Sequence, residues 1–184
     1  MSEQPPARLD VDALYDRLAR PVLALAGNLT GDRDLAEDVL QETFLAAHRA
    51  QDRFRGEASP ETWLWRIAIH ASLRARRRRS RRRDVERAAV ASCNGIRSTR
   101  GAQDGSQPDA AQLRREQARR VHVAMDQLSE EHRVVLSLTA VRELPGRAVA
   151  EILGVPEGTV HSRAHAARRR LRELLGAEDL YPGS

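Results

Sequence analysis

The sequence predicts an all-α protein: two small helical domains joined by a flexible linker, the C-terminal one a helix-turn-helix. Three observations lead there. No segment alternates apolar and polar residues with period two over strand length, whereas apolar residues recur at helical spacing in both halves. Between about 88 and 110 lies AAVASCNGIRSTRGAQDGSQPD, too rich in Gly, Ser, Asn and Gln to bury an ordered core. Residues 149–171, VAEILGVPEGTVHSRAHAARRRL, join two short amphipathic stretches at Gly154.

In the first domain Leu9, Leu14, Leu18, Val22 and Leu25 recur at helical spacing, and Pro21 is expected to start a second helix after a break. Asp32 or Asp34 caps the next helix, whose apolar face is Leu35, Val39, Leu40, Phe44 and Ala47. A loop follows at RFRGEASPE, and TWLWRIAIHASLRA forms a further helix leading into arginines. In the second domain Leu113, Val121, Met125 and Leu128 share a stripe, and Ser129 caps a helix carrying Val134, Val135 and Leu138. Val149, Ile152 and Leu153 face inward from the first helix of the final pair. Gly154 ends it in the left-handed conformation, with Val155 as an apolar plug. The last helix begins near Pro156 and buries Val160, Ala164, Ala167 and Leu171.

Charge divides the chain as sharply as pattern does. Residues 1–73 carry 8 arginines against 12 acidic groups, whereas residues 74–83, RARRRRSRRR, carry 8 arginines and no acid. The whole is +5 with a pI near 10.7, and every one of its 31 Lys-or-Arg positions is arginine. GC-biased codon usage accounts for the missing lysine; the balance still calls for an anionic partner, nucleic acid or a membrane surface. No stretch reaches the roughly 18 apolar residues of a membrane span, so stable membrane insertion is not expected. The polar start, MSEQPPARLD, lacks a signal-peptide core, which points to a cytoplasmic protein. Cys93 stands alone, so no intrachain disulfide forms, and it reads as an incidental thiol in the linker.

Three surfaces carry the functional reading. The outer face of the last helix presents Glu157, Thr159, His161, Ser162, Arg163, His165, Arg168 and Arg169. Arg and His donate to guanine and phosphate, and Ser and Thr suit either role, so this face reads duplex DNA. His161 and His165 have the spacing of metal ligands on a helix, but without a third ligand no metal or other cofactor is expected. The second surface lies in DLAEDVLQETFLAAHRA, where Asp34, Asp38, Gln41, Glu42 and Leu45 lie opposite the apolar stripe. A carboxylate-rich face repels DNA and suits a basic protein surface. The third is FRGEASPETWLWRIAIHASLRARRRRSRRR, where two tryptophans stand beside eight arginines, a mixture that suits unstacked bases on a single strand. A core position for Trp63 is equally physical. No carboxylate pair, nucleophile–base set or glycine-rich phosphate loop stands out, so an enzyme is not expected.

These residues resemble the bacterial extracytoplasmic-function sigma factors. AEDVLQETF resembles the region-two segment that grips the clamp helices of the RNA polymerase largest subunit. FRGEASPETWLWRIA is similar to the promoter-melting loop and helix, and LSEEHRVVLSLTAVRELPGRAVAEILGVPEGTVHSR to region four. The resemblance divides the chain into a region-two domain at 8–83, a linker at 84–111 and a region-four domain at 112–176. It implies that Asp34, Asp38, Gln41, Glu42 and Leu45 bind core RNA polymerase. It implies that Arg55, Ser59, Trp65, Arg66, His70, Arg74 and Arg77 hold the single-stranded minus-ten element of promoter DNA, and that Glu157 to Arg169 read the minus-thirty-five duplex. An anti-sigma factor as inhibitory partner is implied as well. His48 stands where the family often has Trp, His70 where it often has Asn, Pro60 where an aromatic is frequent and Ala166 where many members have Arg. A free-standing helix-turn-helix regulator, dimerising through its N-terminal helices, is the alternative; it calls for an apolar self-complementary face rather than an acidic one.

Overall fold

The computed structural model describes residues 9–92, 110–141 and 143–176. Its elements are α1 (Val11–Thr30), α2 (Arg33–Ala50), a 3-10 turn (Gln51–Arg53), α3 (Pro60–Ser92), α4 (Ala110–Asp126), α5 (Glu130–Leu136) running into a π-helical turn (Ser137–Val141), α6 (Gly146–Leu153) and α7 (Glu157–Leu175). There is no strand among the described residues, as the missing period-two pattern requires.

Asp10 starts α1 by accepting a bond from the Ala13 amide at 2.9 Å. The helix then runs through Pro21 without ending, contrary to the expected break. Proline removes one amide donor from the helical ladder. Here Leu14, Val22, Leu25 and Leu29, all buried on the same helix, outweigh that loss. Asp32 caps α2 through the Leu35 amide at 3.0 Å. Val39, Phe44 and Ala47 then pack α2 onto α1, with Tyr15 edge-on to Phe44 at 4.8 Å.

Ser59 opens α3 by accepting from the Thr62 amide at 3.0 Å, with Pro60 at the first helical position. Leu64, Trp65, Ala68 and Ala71 bury its first half. The helix continues through the arginines to Ser92, so residues 84–92, expected in the linker, are helical. Arginine and alanine are strong helix formers, and nothing after Pro60 in this helix is Gly or Pro. Cys93 and the rest of the expected linker to 109 lie outside the described residues.

In the second domain Ser129 caps α5 through the His132 amide, and Val134, Val135, Leu138, Val149 and Val160 form the core. Val121, expected in the buried stripe, is instead 38% exposed, and the side chain of Leu113 lies outside the described residues. Arg133 is buried and holds α4 to α5: Nε donates to the Met125 carbonyl at 2.8 Å, and Nη2 to those of Leu128 at 2.6 Å and Asp126 at 3.2 Å. Burial, with the nearby Arg76 charge, pulls its pKa to about 10, so it stays a cation at neutral pH. Gly154 ends α6 at φ +65°, and the Val155 amide donates back to the Ala150 carbonyl at 3.1 Å, closing the turn of the helix-turn-helix.

The two domains share one buried cluster. Leu64, Trp65 and Ile69 of α3 belong to the same core as Val134, Val149 and Ile152. Polar bonds frame this contact. Thr62 Oγ1 donates to Glu151 Oε1 at 3.2 Å, and Arg66 donates to the Glu151 and Ile152 carbonyls at 2.7 and 3.0 Å.

Candidate nucleic-acid and partner interfaces

On α2 the helical period sets Asp34, Asp38, Gln41 and Leu45 outward, all exposed, with Leu45 54% exposed. Glu42 lies at the edge of that face, half-buried, and accepts from Arg74 Nη2 at 2.8 Å. Asp32 sits at the top of the face against Arg79 at 3.0 Å. Its carboxyl is held below the usual range, first by the Leu35 amide and then by Arg79 and the Asp34 amide. Arg78, Arg79, Arg82 and Arg83 of α3 face Asp34, Asp38 and Glu42 across a groove. The face thus sets one exposed leucine among carboxylates.

On α3 the side chains at 66, 70, 74 and 77 form one stripe, since steps of four, four and three return to the same helix face. Arg66, His70, Arg74 and Arg77 are exposed by residue, yet three of the four face the second domain. Arg66 is bonded to the end of α6, and Arg77 Nε lies 3.0 Å from Glu130 Oε2. His70 lines the crevice between the domains with Ile69, Leu73, Val134 and Leu153. Beside them Arg76 pairs with Asp126.

Two candidates for the single strand have structural duties in the folded chain. Trp65 is 5% exposed in the core, so its ring offers no face to a base. Sequence alone pairs it with Trp63 as an aromatic near arginines; two residues on, about 200° of helical rotation turns it inward. Ser59 caps α3 and its hydroxyl also donates to Thr62 at 2.9 Å. Trp63 is half-buried, edge-on to Phe54 at 5.4 Å, and Arg55 is exposed in the loop before α3.

On α7 Glu157, His161, Ser162, His165, Arg168 and Arg169 are exposed on one side, while Val160, Ala164 and Ala167 are buried on the other. Thr159 and Arg163 are half-buried at its flank. Arg163 is tied to Glu131 at 2.8 Å, and Ser162 donates to the Thr159 carbonyl at 3.0 Å. His161 lies 3.5 Å from Glu157. His48 stands 3.4 Å from Asp12, and Ala166 is half-buried. No group of three or more His, Cys, Asp or Glu side chains suited to a metal occurs among the described residues, and no helix among them is long and apolar enough to cross a membrane.

The contact between the domains escaped the sequence reading. Its local signal was the basic stripe on α3; its occupant, the end of α6 and the carboxylates of Asp126 and Glu130, has no periodic signature.

Comparison with known proteins finds the same two units. Residues 14–82 match the family described as Sigma-70 region 2, and residues 124–173 match Sigma-70, region 4. The RNA polymerase sigma-H factor of Pseudomonas aeruginosa is 32% identical over 164 residues, 89% of this chain and 85% of that protein. The ECF RNA polymerase sigma factor SigL of Mycobacterium tuberculosis is 35% identical over 164 residues, 89% of this chain and 87% of the relative. Among solved structures, the sigma factor RpoE in complex with the anti-sigma factor NepR from Bartonella quintana is 26% identical with a TM-score of 0.58, over 91% of this chain and 97% of that one.

Proposed function

The chain belongs to the extracytoplasmic-function (ECF) class of RNA polymerase sigma factors, and on that premise we propose that it is a dissociable promoter-specificity subunit. The polymerase performs the chemistry; this chain chooses where it starts, in the cytoplasm where that polymerase works. The observation that carries the reading is the separation of two opposite surfaces on one chain. The acidic face of α2 carries an exposed Leu45, and the outer face of α7 carries His161, His165, Arg168 and Arg169.

Each surface then has a partner of matching chemistry. Asp34, Asp38, Gln41, Glu42 and Leu45 dock on a basic surface of core polymerase. Two or three carboxylates steer the encounter, and Leu45 supplies apolar burial at its centre. Arg66, His70, Arg74 and Arg77, with Arg55 from the loop, hold the non-template strand of the minus-ten element through its phosphates and base edges. Glu157 to Arg169 enter the major groove at the minus-thirty-five element, with Arg163 toward bases and Arg168 toward phosphate. Residues 84–111 join a region-two domain at 8–83 to a region-four domain at 112–176. The Bartonella quintana relative is held by an anti-sigma factor, and this chain is proposed to have such an inhibitor too.

The test is co-purification. The full chain should carry core polymerase through size exclusion, and the complex should protect two upstream promoter elements from nuclease. Dimerisation of the chain on a palindrome in the absence of polymerase would favour the free-standing regulator instead.

A further inference from the structure

We infer that the second domain holds the basic stripe of α3 closed by presenting, to the arginines there, the acceptor groups that a nucleic-acid backbone would present. The inference rests on the proposed role of that stripe in binding a single strand.

The acceptors are specific. Arg66 gives Nε to the Ile152 main-chain carbonyl at 3.0 Å and Nη2 to that of Glu151 at 2.7 Å. These lie at the C-terminal end of α6, where the last carbonyls and the helix dipole concentrate negative charge. Arg77 is bound by both oxygens of Glu130, and Arg76 by Asp126. Two-pronged guanidinium bonding to paired oxygens is how arginine binds phosphate. Beside these bonds, at the edge of the shared apolar cluster, a crevice of about 220 Å³ remains between the domains. A closure whose rim is held by ion pairs beside an open crevice can be loosened by competing charge, although a shared apolar cluster lies behind it.

The same arrangement leaves the other two surfaces uncovered. Asp34, Asp38 and Leu45 on α2 are exposed, as are His165, Arg168 and Arg169 on α7. The closed chain can therefore meet polymerase and duplex while its single-strand face is occupied. Melted DNA gains that face only after the second domain swings away.

Because the occupied fraction reduces apparent affinity, weakening the closure should strengthen single-strand binding. The test uses the full chain with Glu130→Gln and Asp126→Asn together, neither of which touches DNA in the proposed function. Removing two negative charges raises affinity for any polyanion, so the control is Glu116→Gln with Glu173→Gln, the same charge change away from the contact. Spin labels at Arg20→Cys and Arg172→Cys, with Cys93→Ser, report the distance between domains; a fluorescent thymine-rich oligonucleotide reports binding. The interface variant should lengthen and broaden the distance distribution and bind the oligonucleotide about tenfold more tightly than the control variant. A distribution unchanged from wild type, or a gain no larger than the control's, overturns the inference. A lengthened distance without any oligonucleotide binding would overturn the competition by removing its premise, the single-strand role of α3, and would leave the closure itself standing.

Discussion

Arg74 donates to Glu42 at 2.8 Å, so one ion pair joins the basic stripe of α3 to the acidic face of α2. In the proposed docking, a basic partner surface competes with Arg74 for Glu42. Asp38 is exposed on the same face.

Asp38→Arg should therefore weaken core-polymerase binding by about 2–4 kcal/mol, because attraction is replaced by repulsion at the interface. Far-UV circular dichroism should be unchanged, since the position is exposed and arginine favours helix. Leu45→Ala should also lower affinity without lowering the melting temperature. The measurement is titration of labelled chain with core polymerase.

The duplex face gives a graded prediction. Arg168→Ala should weaken binding to all duplexes alike and reduce the salt slope by about 1, as a phosphate contact does. Arg163→Ala should cost about 1–3 kcal/mol on the preferred upstream element only. Glu131→Gln should strengthen that element, because Arg163 no longer has to leave its partner at 2.8 Å. Fluorescence anisotropy at several salt concentrations separates the three.

Gly154→Ala should destabilise the second domain by about 1–2 kcal/mol, the cost of a left-handed alanine. An added Cβ meets nothing within 4 Å, so the loss comes from φ alone. Gly154→Asn should lose less, which thermal melts of the two variants would reveal.

Arg133→Met should cost about 2–4 kcal/mol in urea unfolding, because it strands carbonyls at the end of α4. Removal of a buried cation offsets part of that loss. Arg133→Lys should not rescue it, since a single ammonium does not span the Met125, Asp126 and Leu128 carbonyls as the guanidinium fork does.

Asp32 predicts an acid limb. Its carboxyl is held below the usual range in the folded chain, so it adds stability above the ordinary carboxylate pKa. That contribution fades as pH falls through the lowered value. Asp32→Asn keeps the cap but does not titrate there, so its stability should fall less steeply in acid.

The helix stripes and the left-handed Gly154 were legible because each follows from a local period or a single backbone requirement. So was the acidic face of α2, whose outward residues follow from the buried Val39, Phe44 and Ala47. What was not legible required knowledge of neighbours. Pro21 reads as a break until the burial of Val22 and Leu25 is set against its missing amide. The arginine run reads as a charge patch until helix propensity carries it to Ser92. Trp65 reads as a stacking platform, but the core claims it, and the role of Arg66 depends on a helix more than eighty residues away in sequence.

Run-off transcription with purified core polymerase on genomic promoter fragments tests the central claim most directly. With the wild-type chain, discrete transcripts should begin at a small set of sites, disappear with Asp38→Arg and weaken with Arg163→Ala. Transcription by core polymerase that is unchanged by adding the chain, despite tight sequence-specific duplex binding by the chain alone, would contradict it.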